Sequence, residues 1–224
     1  MITIMNIIDV GAGKCSQYHA LLVQHPSLKI YAIEPHPELF KKLITIRSSM
    51  TSECAERLYL INEAISTVEG NNTFYMNNDF GTSSLLPIIQ ESATKWKYPV
   101  GRRAIKCVGQ KTVTCVRLDS IMKRYNIRFV DLLNIDTQGN SVDVIKSMSM
   151  EHYNHVKQII VKVHTDDLGF ELYKGQSKAS SVMRELKVRY FLFHDNQMYS
   201  RNQEQIMTFV NEKLLNKKTP LPFL

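Results

Sequence analysis

The stretch "NIIDVGAGKCSQY", residues 6–18, is an apolar run that breaks abruptly at two glycines. Ile8 and Val10 belong to the residue types that are typical of a buried strand. Gly11 and Gly13 indicate a sharp backbone turn, or a main chain that approaches a ligand closely. The stretch therefore predicts a buried strand, a glycine turn that faces a ligand, and a following helix.

Short apolar runs and helical patterns alternate along most of the remaining chain, which is typical of a parallel α/β sheet. The predicted strands lie near 3–10, 28–34, 57–65, 130–136, 156–164, 188–194 and 205–211. The predicted helices cover 15–24, 37–49, 119–125, 140–149 and 178–187. Together with the glycine turn, this order predicts a Rossmann-like α/β fold whose seven-stranded, mostly parallel sheet has helices on both faces.

Residues 66–117 depart from this alternation. Their polar–apolar alternation predicts hairpin strands and a long loop, inserted between the third and fourth core strands and covering the acceptor site. The tail 212–224 is predicted to be irregular, because two prolines interrupt it. A length of 224 residues predicts a single domain over 1–224.

The composition is that of a globular protein, with 44% hydrophobic and 22% charged residues, which excludes disordered and fibrous classes. A formal charge of +7 favours anionic partners without identifying one. The four cysteines have no CxxC spacing, so we predict reduced thiols, a cytoplasmic location and no metal site. Neither a signal peptide nor an apolar run long enough to span a bilayer is evident, so we predict a soluble protein.

The second predicted strand, "KIYAIEP", ends in Glu34, about 20 residues after the glycine turn, where an acidic residue can bind a ribose diol. A carboxylate suits a diol because it accepts two hydrogen bonds. A dinucleotide would need a pyrophosphate seat, and the third glycine of its fingerprint is replaced here by Ser16. S-adenosylmethionine is cationic and suits Asp9 better, so the pattern favours a methyl donor over a nicotinamide.

Six motifs then occur in order: "IIDVGAG", "YAIEPHPELFKKL", "NEAIS", "TFYMNNDFGTSSLL", "VTCVRLDSIMKRYNIRFVDLLNIDTQGNSVDVIKSM" and "NQEQIMTFVN". From about Ile4 to Asn211, the chain resembles the FkbM family of class I S-adenosylmethionine-dependent methyltransferases. The resemblance implies an O-methyltransferase with S-adenosyl-L-methionine as its cofactor. It also implies that the partner is a small-molecule or glycan hydroxyl acceptor.

The resemblance further implies a set of cofactor-binding residues: Asp9, Gly11, Ala12, Gly13, Glu34, Asn62, Glu63, Ala64, Ser83, Ser84, Asp136 and Gln138. The glycine turn would hold the methionine end, and Glu34 would bind the ribose hydroxyls. Residues 62–64 would flank the adenine, and the two serines would lie over the cofactor. Asp136 and Gln138 would face the transferable methyl group.

Two departures from the family concern the reacting end, because Ser141 and Lys162 stand where the family commonly has Glu. Lys162 also opens a second interpretation. Asp136, Lys162 and Glu204 resemble three of the four catalytic positions of Rossmann-like RNA ribose 2′-O-methyltransferases. The remaining lysine is missing, since none of the eight residues before Asp9 is lysine.

Asp136 is the first candidate for a general base and His164 the second, while Lys162 would orient or polarise the acceptor. Each has a structural alternative. Asp136 could cap the strand end, and His164 could be a satisfied structural histidine. Lys162 could form an ion pair with Asp136 or Asp131, because a lysine in an apolar strand needs a partner or a pocket.

The segment "KWKYPVGRR", residues 95–103, places aromatic residues between cations, which can stack on sugars or bases. We predict an acceptor-binding role for Trp96, Tyr98, Arg102 and Arg103. The alternative is a solvated loop with one aromatic side chain turned inward. A last interpretation is an inactive binding module that keeps the cofactor fold and docks on RNA or a protein partner.

Overall fold

The computed structural model describes residues 5–13, 17–97, 104–199 and 203–214. The strands are β1 (Met5–Val10), β2 (Leu28–Ile33), β3 (Leu58–Ile61), β4 (Ala64–Ile65), β5 (Gly70–Asn77), β6 (Cys107–Val116), β7 (Val130–Ile135), β8 (Val156–His164), β9 (Phe191–Tyr199) and β10 (Glu204–Asn211). The α-helices are α1 (Tyr18–Gln24), α2 (Pro37–Ser48), α3 (Ser52–Ala55), α4 (Gln90–Lys95), α5 (Leu118–Arg124), α6 (Ser141–Lys146), α7 (Met150–Tyr153) and α8 (Ala179–Lys187).

Seven strands form one sheet in the order β3-β2-β1-β7-β8-β10-β9. The five strands from β3 to β8 pair in parallel, and β10 is antiparallel to both of its neighbours. The predicted mostly parallel seven-stranded sheet is therefore confirmed. The strand order reverses between β1 and β7, and ligands bind at the carboxyl ends of the strands at such a point.

Successive residues of the central strands point to opposite faces of the sheet. On one face, Ile7 of β1 joins a buried cluster with Leu22 of α1 and Leu43 of α2. On the other face, Ile8 and Val10 belong to the larger cluster that α5, α6, α7 and α8 cover. The two clusters confirm the prediction of helices on both faces.

The inserted region forms a second sheet in the order β4-β6-β5. The predicted strand 57–65 was wrong in its length, because only β3 joins the large sheet and β4 pairs with β6. The chain turns between them, where the Asn62 side-chain amide donates to the Glu34 carbonyl at 2.8 Å. Strands β5 and β6 are antiparallel, and a 3₁₀ turn (Phe80–Thr82) and α4 lie between them. This confirms the predicted hairpin strands and long loop.

Two further boundaries differ from the prediction. The expected helix 140–149 ends early, since α6 stops at Lys146, where the Ser147 hydroxyl donates to the Val144 carbonyl. A separate short helix, α7, begins at Met150 and is capped by the Ser149 side chain. Residues 212–214 of the predicted irregular tail form a 3₁₀ turn, and 215–224 lie outside the described residues. Within the described ranges, every helix is too short or too polar to cross a membrane.

Candidate active site

A cleft opens at the carboxyl ends of β1, β2 and β7. Nine of the twelve predicted cofactor-binding residues line it: Gly11, Gly13, Glu34, Glu63, Ala64, Ser83, Ser84, Asp136 and Gln138. They come from the edges of both sheets and from the loops that follow β1, β2, β5 and β7. The fold therefore brings together residues that are up to 127 positions apart in the chain, as the span from Gly11 to Gln138 shows.

The glycine turn is shaped by close contact between the ends of β1 and β7. Gly11 has φ +83°, and a Cβ atom there would lie 2.1 Å from the Asp136 carbonyl oxygen. The Asp136 amide donates to the Val10 carbonyl at 2.8 Å, which holds the two strand ends together. Gly13 has φ +60°, and a Cβ atom there would meet the Gly11 carbonyl oxygen at 3.9 Å, an ordinary van der Waals distance. Glycine is therefore required at Gly11 by contact and by φ, and favoured at Gly13 by φ alone.

Glu34 is 4% exposed, and two main-chain amides hold its carboxylate. Its Oε2 atom accepts from the Gly13 amide at 2.8 Å, and Oε1 accepts from the His36 amide at 2.7 Å. Burial raises the pKa of Glu34 to about 7, against the opposing effect of these two hydrogen bonds. Each oxygen still has a lone pair for a further donor, so the ionised group could accept both hydroxyls of a diol.

Asp9, Ala12 and Asn62 do not line the cleft. Both carboxylate oxygens of Asp9 accept hydrogen bonds from inside the protein, from the Tyr18 hydroxyl at 2.6 Å and the Asn134 amide at 2.8 Å. Burial raises the pKa of Asp9. In the structure, Asp9 thus faces the protein interior and supports the glycine turn on the side away from the cleft. Asn62 supports the Glu34 main chain through its hydrogen bond to the Glu34 carbonyl.

Lys162 links two carboxylates at the other end of the cleft. Its Nζ atom lies 2.6 Å from Asp136 Oδ1 and 4.0 Å from Glu204 Oε1. The Gln138 side-chain amide donates to the same Asp136 oxygen at 3.3 Å. Of the two ion-pair partners expected for Lys162, the structure selects Asp136, because Asp131 instead accepts from the Asn6 amide. Asp136 remains 37% exposed at the cleft, so a ligand can reach it.

His164 is 2% exposed and does not line the cleft. Its ring packs edge-on against Trp96 at 5.5 Å and Tyr173 at 5.8 Å between ring centres. Burial, together with the nearby Lys162 charge, lowers the pKa of His164 to about 4. Its ring nitrogens have no hydrogen-bond partner within the described part of the chain. This environment favours a neutral packing residue over a base.

Trp96 also lies away from the cleft, in a small apolar cluster with Ile105 and Leu172. The Trp96 side chain is therefore turned inward, as the alternative interpretation of this segment expects. The other three residues expected to bind an acceptor lie outside the described residues: Tyr98, Arg102 and Arg103.

One end of the cleft is apolar, and the sequence analysis did not identify its lining residues: Leu39, Ile65, Phe74 and Phe80. Two of them come from the inserted region, whose path no periodicity in the sequence indicates. Two hydrogen bonds hold the segment 80–85 over the cleft. The Ser84 hydroxyl donates to the Gln138 carbonyl at 2.7 Å, and the Tyr173 hydroxyl donates to the Thr82 carbonyl at 2.6 Å.

The charged side chains of the cleft lining are carboxylates, two of which pair with basic residues outside the lining. Three carboxylates line the cleft, from Glu34, Glu63 and Asp136, and its described lining contains no Lys, Arg or His. Glu63 is paired on its outer side with Arg124 at 2.7 Å. Such a lining favours a cationic ligand over a pyrophosphate. The described residues contain no group of three or more His, Cys, Asp or Glu side chains that could hold a metal ion.

Comparison with known proteins gives one family match. The profile of the methyltransferase FkbM domain matches residues 9–199. The methyltransferase sdnD of Sordaria araneosa is 24% identical over 174 residues, which cover 70% of this chain and 65% of that protein. The present chain thus spans just under two thirds of the length of this curated relative.

Similar solved structures include methyltransferases of low sequence identity. The METTL16 MTase domain is 10% identical, with a TM-score of 0.50 over 93% of this chain and 60% of that chain. Magnesium protoporphyrin IX methyltransferase from Synechocystis PCC 6803, solved with bound SAM, is 8% identical, with a TM-score of 0.49 over 92% of this chain and 69% of that chain. At 10% identity, the likeness to the METTL16 MTase domain shows a similar fold and nothing further.

Proposed function

We propose, because this chain belongs to the methyltransferase FkbM domain family, that it transfers a methyl group from S-adenosylmethionine to a hydroxyl of a sugar, glycan or similar small molecule. The observation that carries the proposal is the cleft lined by carboxylates, with the glycine turn and Glu34 along one wall and Asp136 at the reacting end. The chain would act as one domain, with residues 66–117 covering the acceptor side.

The residues of the cleft fit such a donor. Gly11 and Gly13 leave main chain free of side chains beside the cleft, and Glu34 offers two acceptor oxygens to a ribose diol. The carboxylates favour the positive charge of a sulfonium and an ammonium. When bound, S-adenosylmethionine supplies a methyl group on a positively charged sulfur atom.

Asp136 would take the proton of the acceptor hydroxyl, since it is the carboxylate at the reacting end that remains partly exposed. Lys162 would hold that carboxylate in one orientation through the 2.6 Å ion pair. Most of the acceleration would come from alignment of the hydroxyl oxygen with the methyl group. His164 is the weaker candidate, because it is buried and its pKa is about 4.

Donor affinity is expected to depend on pH through Glu34. A diol donates to the ionised carboxylate, so binding must expel the proton that Glu34 holds below its pKa of about 7. The affinity for S-adenosylhomocysteine should rise from pH 6 to pH 8 by about tenfold and then level off. In the absence of a ligand, the effect of Glu34 on folding stability has the opposite dependence on pH. Because the folded pKa of Glu34 is raised from 4.5, its contribution to the free energy of unfolding is fully present below pH 4.5 and is lost as the pH rises through about 7.

Calorimetric titrations between pH 5.5 and 8.5, in buffers of different ionisation enthalpy, would measure both the affinity and the proton release. Glu34→Gln is the matched control, and its weaker affinity should not vary over this range. A wild-type affinity that is constant from pH 6 to pH 8 would contradict the assignment of Glu34 to the diol.

A second candidate function is ribose 2′-O-methylation of RNA. The observation that favours it is the contact of Lys162 with both Asp136 and Glu204. The basic charge of +7 would also favour an anionic acceptor. The incomplete match to the four catalytic positions makes it the second choice.

The test is an acceptor panel incubated with a methyl-labelled donor and analysed by mass spectrometry. The panel contains mono- and oligosaccharides, polyhydroxylated small molecules, and capped and uncapped short RNA, with Asp136→Asn as a parallel control. We expect one added methyl group on a hydroxyl of a sugar or small molecule. A product on RNA alone would establish the second candidate. Donor binding without any product, together with salt-sensitive RNA affinity, would indicate an inactive binding module.

A further inference from the structure

His36 contacts three parts of the cleft wall. Its amide donates to Glu34 Oε1 at 2.7 Å, so its main chain holds the carboxylate expected to bind the ribose. Its ring lies 4.6 Å from the Phe80 ring, with 31° between the planes, and 6.2 Å edge-on from the Phe74 ring. Since both phenylalanines line the apolar end of the cleft, His36 connects that end to the carboxylate.

The His36 side chain is held in one orientation. Its Nδ1 atom accepts from the Glu38 amide at 3.2 Å and thereby caps the N-terminus of α2. The neutral ring must then carry its proton on Nε2, which has no hydrogen-bond partner among the described residues and is buried. Ser, Thr, Asp and Asn are the usual caps, and a buried unpaired donor is costly. Capping alone therefore does not explain an imidazole at this position.

Phe80 presents an aromatic surface to the cleft. It is 37% exposed although it is a large apolar residue, and it belongs to the 3₁₀ turn of the inserted region. His36 packs against its ring, and the Lys42 ammonium lies 5.6 Å from the ring centre. A ring that is supported by a second ring and exposed to a cleft suits a flat heterocycle, which gains affinity by stacking.

We propose that Phe80 is the surface on which the adenine of the donor stacks, and that His36 is a positioning residue that holds Phe80 in place. The same residue holds Glu34 through its main chain, so adenine and ribose are placed relative to each other by one residue of the loop after β2. This inference rests on the proposed function, since it assumes an adenosyl donor. It also assigns a donor-binding role to the inserted region.

The test separates the effect of an aromatic ring at position 36 from the effect of a side chain that caps α2. His36→Ala removes both, His36→Asn keeps a capping side chain, and His36→Phe keeps a ring. Calorimetry would measure the affinities for S-adenosylhomocysteine and adenosine, and thermal unfolding would measure the stability of each variant. Phe80→Ala and the double variant with His36→Ala complete a mutant cycle. Phe193→Ala is the matched control, an exposed phenylalanine on β9 far along the strand order.

We expect Phe80→Ala and His36→Ala each to weaken both ligands by about tenfold, within the range measured for loss of one base–aromatic stack. His36→Phe should bind nearly as well as wild type but unfold at a lower temperature. His36→Asn should bind both ligands more weakly than wild type but unfold at nearly the wild-type temperature. The double variant should bind no more weakly than Phe80→Ala, because His36 acts through Phe80.

The opposite pattern would overturn the inference. If His36→Asn restores affinity and His36→Phe does not, His36 is only a helix cap. Unchanged affinity in Phe80→Ala would exclude the stacking surface, and this variant of an exposed residue should fold. Either result leaves the proposed function intact, provided that wild type binds the ligand. Failure of wild type to bind S-adenosylhomocysteine would overturn the proposed function and this inference together.

Discussion

Asp136→Asn is expected to lower the turnover number by about 10²- to 10⁴-fold, the usual contribution of a general base. The amide keeps the size and shape of the carboxylate but cannot take the hydroxyl proton. It also loses the charge that Lys162 pairs with at 2.6 Å. The affinity for S-adenosylhomocysteine should stay within about threefold, because the main chain of Asp136, which packs against Gly11, is unchanged.

The measurement is the initial rate of methyl transfer to the acceptor identified in the panel, with calorimetry of donor binding in parallel. Asp195→Asn is the matched control, since it makes the same change on an exposed residue of β9. Its turnover should equal that of wild type. An Asp136→Asn rate within threefold of wild type would remove Asp136 from the proton-transfer step.

Gly11→Ala is expected to lower the free energy of unfolding by about 4 kcal/mol, combining the left-handed backbone penalty with overpacking. Its Cβ atom would lie 2.1 Å from the Asp136 carbonyl oxygen, and that atom belongs to the main chain. The ends of β1 and β7 would have to separate. Donor affinity should therefore fall together with stability.

Variants of two other glycines separate the cost of the positive φ from the cost of overpacking. Gly13 has a positive φ but only an ordinary contact of 3.9 Å at its Cβ position, so Gly13→Ala should lower the free energy of unfolding by about 1–2 kcal/mol. Gly109→Ala has neither problem and should not lower stability. Urea unfolding of the three variants would measure the series. Equal costs at Gly11 and Gly13 would mean that the strand ends move apart easily, contrary to the contact in the structure.

Much of the sheet could be predicted from the sequence, because its central strands are apolar on both faces and separated by helical patterns. The family resemblance was also correct, since the domain profile matches residues 9–199. Strand β9 was predicted to end too early, at 194, because residues 194–197 are polar and exposed. Pairing with the β10 main chain, which leaves no side-chain pattern, extends it to Tyr199.

Prediction of the site was best where a residue type is required by backbone geometry. Gly11 was found on that basis, and Glu34 was found from its place at the end of the second strand, about 20 residues after the glycine turn. Both line the cleft. Asp9 shows the limit, because its internal donors Tyr18 and Asn134 come from α1 and β7 and leave no signal next to it. The position of Phe80 at the cleft was missed because it depends on the path of the inserted region.

The absence of basic side chains from the described cleft lining has a consequence for catalytic turnover. Methyl transfer removes the positive charge from sulfur, so the spent donor is a neutral thioether at that atom. The surrounding carboxylates attract the fresh donor more strongly than the spent one. On the proposed function, the charge at sulfur would therefore favour exchange of the spent donor for a fresh one.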